Sequence, residues 1–254
     1  MSKNVHPRTN DFGQPVGEVV PAWSGSKFPT GELLEGRLCR LEQLDVGQHG
    51  DELADAFALD AEGQLWTYMG VGPFTTKAAL KDWVATASRG RDPLFYAVVE
   101  KASAKAVGIA SYMRIAPEAG SIEVGTIAYS PLLQRTSLAT EAMFLMMAHA
   151  FETLGYRRYE WKCDSLNAAS RKAAERYGFS YEGIFRQALV YKGRNRDTAW
   201  FSILDREWPA IKGAYVTWLD PENFDLNGQQ KQKLADLISY ERQVCQKASG
   251  QDRL

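Results

Sequence analysis

Residues 94–100, 106–115 and 122–129 are three dense apolar runs, rich in β-branched and aromatic side chains, and each reads as a strand. Pro117-Glu118-Ala119-Gly120 supplies the turn between the last two. Upstream, residues 36–41 alternate apolar with polar and predict a first strand. Residues 51–59 and 76–87 predict two helices, the second with Ala79, Leu80, Trp83 and Val84 on one face. Between these helices lies an aromatic loop carrying Trp66, Tyr68 and Phe74. Downstream, residues 138–154 predict a long helix, apolar at Phe144, Met147, Phe151 and Leu154 and stopped by Gly155. A strand at 157–163, a helix at 167–177 ending at Gly178, and closing strands at 179–185 and 198–204 follow. A last helical pattern covers 227–247, with Leu234, Leu237, Ile238 and Val244 on one side.

The pattern divides the chain into an irregular arm at 1–35, rich in Gly, Pro, Asn and Ser, one domain at 36–208, and a largely helical extension at 209–254. Composition adds bounds. The 254 residues are 45% hydrophobic and 24% charged, with a net charge of -1, which gives no global case for nucleic-acid binding. Cys39, Cys163 and Cys245 are widely spaced, form no metal-type pair and fit a reducing compartment. His6, His49 and His149 are dispersed, and His149 is expected to be a packed side chain of the long helix. No metal set and no Ser-His-Asp arrangement emerges. No apolar run approaches the ~20 residues of a membrane span, and no signal-type segment opens the chain, so a cytoplasmic location is expected. A homodimer is compatible with all of this.

The candidate chemistry centres on 129–179. The strand ends at Pro131, a polar turn follows, and a helix opens at Leu138. Such a turn points free backbone N–H groups at one place, where the helix dipole also favours negative charge, and its natural guest is a phosphate or pyrophosphate. An ordinary capped strand-to-helix turn would read the same way.

The turn Gln134-Arg135-Thr136-Ser137-Leu138-Ala139, the later Asn167-Ala168-Ala169-Ser170, the segment Glu123-Val124-Gly125 and the order of elements together resemble the GCN5-related N-acetyltransferases, over roughly residues 36–208. The likeness is greatest to the branch that contains ribosomal-protein N-terminal acetyltransferases and many small-molecule acetyltransferases. It implies a mixed α/β (α+β) fold, with a central mixed sheet flanked by helices, and acetyl-CoA as cosubstrate without a metal. It also implies transfer of acetyl to a primary amine of a small molecule or peptide N-terminus by direct attack in a ternary complex. A binding protein that keeps the fold without turnover is the alternative.

The resemblance assigns the pyrophosphate to the turn, through Gln134, Arg135, Thr136, Ser137, Leu138, Ala139 and Thr140. Ser137 stands where the family usually has Gly, and its Cβ would crowd a ligand that backbone must approach closely. Asn167 is implied to contact the pantetheine arm. That arm is implied to pair with the strand at Ile127 and Tyr129, which in this family splays from its neighbour. Ser170 is implied to lie near the thiol as the acid, or else to be a helix-cap residue; the Tyr that serves many relatives is here Ala174. Attack by an amine requires removal of a proton. Glu123 is the first candidate for the base, placed by strand parity on one face with Gly125 and Ile127, against the alternative of an exposed strand carboxylate. Glu182 is the second. The carboxylate assigned as base in ribosomal-protein acetyltransferases falls here on Leu189. Trp66, Tyr68, Phe74, Tyr112 and Tyr191 are either an acceptor pocket or core.

Overall fold

The computed structural model describes residues 8–248. The start of the expected arm, with His6, and the end of the expected extension lie outside that range. Strands β1 (Arg8–Thr9) and β2 (Pro15–Val16) form a small exposed hairpin, and β3 (Leu34–Glu35) and β4 (Cys39–Gln43) open the main sheet. Helices α1 (Val46–Phe57) and α2 (Lys77–Ala87) follow. Each starts at a side-chain cap, Asp45 accepting from the Gln48 N–H and Thr76 from the Ala79 N–H. Then come β5 (Leu94–Glu100), β6 (Lys105–Ala116), β7 (Ser121–Tyr129), α3 (Ser137–Ala148) with a π turn at His149–Thr153, β8 (Arg158–Asp164), α4 (Ala168–Arg176), β9 (Ser180–Tyr191), β10 (Arg194–Leu204), α5 (Trp208–Leu219) and α6 (Leu234–Ala248).

The main sheet has the order β3-β4-β5-β6-β7-β8-β10-β9. Every neighbouring pair is antiparallel except β7 and β8, which run parallel. One face of the sheet carries α1 and α2, with Leu53, Phe57, Leu80 and Val84 buried against Phe95, Ala97, Ile109 and Ala128. The other face carries α3, α5 and α6, with Met143, Met146, Ile211, Tyr215, Leu234 and Ile238 in one core with Tyr96, Tyr112, Val124 and Tyr159. The expected element order and mixed sheet are thus present.

Three expectations change. The helix placed at 227–247 begins only at Leu234. The preceding loop is tied down by Asn223, whose side chain donates to the Trp218 and Gln232 carbonyls (3.1 and 3.2 Å). Val244, assigned to the buried side, is 42% exposed. Helix α5 carries no separate expectation, yet its Trp208 and Tyr215 stack on Phe144 of α3 (6.0 and 5.4 Å between ring centroids), so the extension completes the core. The hairpin of β9 and β10 is longer than expected, because the 186–197 stretch continues the pairing across bulges.

The arm is tied to the domain at several points, and its last residues enter the main sheet as β3. Trp23 donates its indole N–H to the Glu118 carbonyl (2.7 Å), and the Lys27 N–H reaches the Leu154 carbonyl (2.8 Å). His149 is packed as expected, against Tyr112 and 3.5 Å from Glu32 of the arm.

Candidate active site

The parallel pairing of β7 with β8 covers only Ser121 to Val124 against Arg158 to Trp161. Beyond it β7 runs on to Tyr129 along β6, and β8 runs on to Asp164 along β10. The two strands therefore part in the middle of the sheet. Backbone left unpaired there needs a partner, and an extended ligand chain can supply it.

At the split, Gly125 pairs with Ser111 and Ala128 with Ile109, so β7 holds one residue more than β6 over this interval. The extra residue is Thr126, at φ 45°, a value that a β-branched residue rarely takes and that costs on the order of 1–3 kcal/mol. This bulge corrects the parity expected for the strand. Glu123 shares its face with Gly125, but Ile127 packs on the opposite core with Val124 and Tyr129, while Ala128 joins the face of α1 and α2. A Cβ at Gly125 would run into the Met113 side chain and come within 3.3 Å of Glu123 Oε1, so the glycine leaves space first for the methionine and then for the carboxylate.

Glu123 is not an exposed strand carboxylate: it is 2% exposed. Arg114 Nη1 of β6 donates to its Oε1 (2.7 Å), and Lys162 Nζ of β8 lies 2.8 Å from its Oε2. The two cations clamp the carboxylate from β6 and β8, one at each oxygen. Burial pushes the carboxyl up from the ordinary Glu range, against the pull of the Lys162 and Arg114 charges. A raised, buried carboxyl suits proton acceptance.

Lys162 is itself buried, 2.7 Å from Glu160 Oε2 and 3.8 Å from the Trp200 ring centre. Glu160 accepts from Arg158 (2.6 Å), which also grips both oxygens of Glu182 (2.8 and 2.5 Å). The face therefore carries a row of alternating charge from Arg114 to Glu182. Arg158 holds the Glu182 carboxyl below its usual range, and Ser202 adds a hydrogen bond (2.6 Å). Glu182 is an engaged, ionised group at the sheet margin, poorly suited to the role of second base. The sequence does contain a signal for the row: Arg158, Glu160, Lys162 and Asp164 alternate with Tyr159, Trp161 and Cys163, the period of a strand with one polar face.

The turn after β7 offers donors. The N–H groups of Arg135, Ser137 and Leu138 have no hydrogen-bond partner among the described residues, whereas the Ala139 N–H is taken by the Thr136 hydroxyl, the cap of α3 (3.1 Å). Arg135 takes the left-handed backbone at φ 62°, and Ser137 sits in ordinary helical conformation as the first residue of α3. Gln134 folds back, donating to the Tyr129 carbonyl (2.8 Å), and Thr140 Oγ1 accepts from Arg176 (3.1 Å). Three free donors at a helix start fit a pyrophosphate. Helix α3 is anchored by Glu141, whose carboxylate accepts from the N–H groups of Arg37, Leu38 and Cys39 (3.0, 2.6 and 2.8 Å).

Asn167 caps α4, its Oδ1 accepting from the Ser170 N–H (3.0 Å). Ser170 Oγ accepts from the Trp161 indole (3.0 Å), which leaves its own proton available for donation. Trp161 packs in the core on the α3 side, while the adjacent Lys162 faces Glu123. Ser170 and Glu123 thus approach the split from opposite faces of the sheet. Ala174 is fully buried and Leu189 is exposed, so neither supplies an acid or a base. Of the aromatic residues, Trp66 and Tyr112 are core. Tyr68 and Tyr191 stand at the far end of β8, reaching the Leu166 carbonyl (3.4 Å) and Asp164 (2.8 Å). No metal-type cluster occurs among the described residues, and no helix there is long and apolar enough to cross a membrane.

Known proteins resemble this chain in sequence and fold. The acetyltransferase (GNAT) domain matches residues 47–180, more than half of the chain. A crystal structure of a GCN5-related N-acetyltransferase from Brucella melitensis is 50% identical, with a TM-score of 0.85, over 87% of this chain and 100% of that one. A probable GNAT-family acetyltransferase from Chromobacterium violaceum is 42% identical, with a TM-score of 0.72, over 78% of this chain and 98% of that one. An uncharacterized N-acetyltransferase, p20, of Bacillus licheniformis is 29% identical over 62% of this chain and 91% of its own length.

Proposed function

Because the chain belongs to the GNAT acetyltransferase family, we propose that it moves the acetyl group of acetyl-CoA to a primary amine, of a small molecule or a peptide N-terminus, by direct attack within a ternary complex. The parting of β7 from β8 after Val124 and Trp161 carries the reading, since it opens the sheet beside the buried Glu123 carboxylate. In the proposed complex the N–H groups of Arg135, Ser137 and Leu138 hold the pyrophosphate. The backbone about Ile127 and Tyr129 lies along the pantetheine arm, and Asn167 lies near it. The bound thioester supplies the activated acetyl group.

The residues of the chain do the proton work. An alkyl amine arrives mainly as ammonium, since such groups titrate near ~10.4. Glu123 takes the proton, directly or through a water, from one face of the split. Ser170, on the other face, donates to the departing thiolate, its oxygen held by the Trp161 indole. The test is calorimetry with acetyl-CoA, followed by detection of free CoA thiol against a panel of polyamines, amino acids and short peptides. Binding followed by amine-dependent thiol release is expected. Binding without release for every amine would leave an acyl-CoA-binding protein, and no binding would refute the site.

A further inference from the structure

Lysine is rarely buried, because removing its ammonium from water costs several kcal/mol unless partners replace the lost hydration. The Lys162 side chain is only 6% exposed, and the Glu123 side chain 3%. Three partners surround the Nζ: Glu123 Oε2 at 2.8 Å, Glu160 Oε2 at 2.7 Å and the face of Trp200 at 3.8 Å. Its place in the chain is specific as well. Trp161 is the last residue of β8 paired to β7, so Lys162 is the first past the point where the strands part. A cation at that vertex touches the strand that leaves and the strand that stays.

We infer that Lys162 is a positioning residue for the acetyl transfer proposed above: it holds the Glu123 carboxylate ionised and turned into the opening between β7 and β8. The inference rests on Glu123 being the base, and it adds a residue whose effect is separable from that assignment. A carboxylate buried on an otherwise apolar strand would stay protonated and would be useless as a base at neutral pH. Arg114, half exposed, is a weaker restraint on it than the buried ammonium. Glu160 competes with Glu123 for the same Nζ, so the carboxylates on either side of Lys162 divide its charge. The remaining groups on this face are already committed. Arg158 and Glu182 pair with each other, Ser202 binds Glu182, and Asp164 accepts from Tyr191. The competition gives the proposal a sign in each direction. Removing Lys162 should make Glu123 harder to ionise, and removing the charge of Glu160 should make it easier.

The test is a 13C NMR titration of the glutamate carboxyls in the full chain, with the Glu123 signal assigned by its loss in Glu123→Gln. It is run beside the pH profile of kcat/KM for CoA release with the best amine of the panel. In Lys162→Met, the Glu123 midpoint and the acid limb of the profile should both move alkaline by about one pH unit or more, a tenfold change in proton affinity. Lys162→Arg should return most of that shift. Glu160→Gln should move both in the acid direction, and it carries the test should Lys162→Met fail to fold. An unmoved midpoint in folded Lys162→Met, or an alkaline shift in Glu160→Gln, would overturn the role of Lys162 while leaving Glu123 as base. A Glu123→Gln variant as fast as wild type would remove the base assignment, and the catalytic role of Lys162 with it.

Discussion

Glu123 and Ser170 differ in how far their chemistry can be read from residue type. Glu123 combines a charge that burial opposes with cations that oppose burial, and the balance leaves its carboxyl above the ordinary range. Replacement by Gln keeps the shape and removes the acceptor. The expected result is a fall of about 100-fold or more in kcat/KM near neutrality, within the range of acid–base effects, with recovery toward alkaline pH where solvent supplies free amine. The sign follows from the raised carboxyl: below its titration the base is protonated and the rate falls, so the wild-type acid limb lies above the ordinary Glu value. Ser170→Ala should lower kcat by about 10- to 100-fold with CoA affinity unchanged in calorimetry. Wild-type kcat would reduce Ser170 to a partner of the Trp161 indole. The sequence named both residues but missed what holds them. Nothing in the one-dimensional pattern says that Arg114, Lys162 and Trp161 are the neighbours, because each lies on a different stretch of chain or on the opposite parity of the same strand.

At the scale of elements, strands and helices were legible wherever a period or a cap was clean. Thr76 and Asn167 open helices as their side chains suggest, and Gly155 and Gly178 take the left-handed backbone that ends them. Helix α5 carries a helical signal of its own, since Trp208, Ile211, Ala214, Tyr215 and Trp218 recur at helical spacing and are all buried on one face, but exposed Val216 blurs the opposite side. Pro209 in its first turn was a further signal. The turn into α3 was legible as a donor site, though Thr136 removes one of the expected donors by capping. Ser137→Glu sets a negative charge among the three free N–H groups. Acetyl-CoA affinity should weaken at least tenfold, ~1.4 kcal/mol, in calorimetry, with the melting temperature little changed. Unaltered affinity would place the pyrophosphate elsewhere.

For the whole molecule, the boundary drawn at residue 208 falls inside the core. Trp208 is 5% exposed, stacks on Phe144 and Phe151, and donates to Glu152 (2.7 Å). Trp208→Ala should destabilise the fold by about 3–5 kcal/mol, the range for a large buried aromatic, and should lower Tm without shifting the pH profile of any residual activity. A small loss in Tm would mean that α5 and α6 only cover the domain. The pattern could not show that these helices complete the core, since burial depends on what lies opposite.

The residue inserted at Thr126 acts as a phase step in a two-beat pattern. Counting alternation from Ser121 or from Tyr129 assigns opposite sides to the middle of β7, and both counts are right on their own side of the step. Identity should therefore matter little there. Glycine, which takes φ 45° freely, should be accepted in place of threonine. Deleting the residue would restore plain alternation along β7 and leave Ile127, Ala128 and Tyr129 on the sides they already occupy, so the deletion would remove the bulge and its strained backbone without exchanging the two cores.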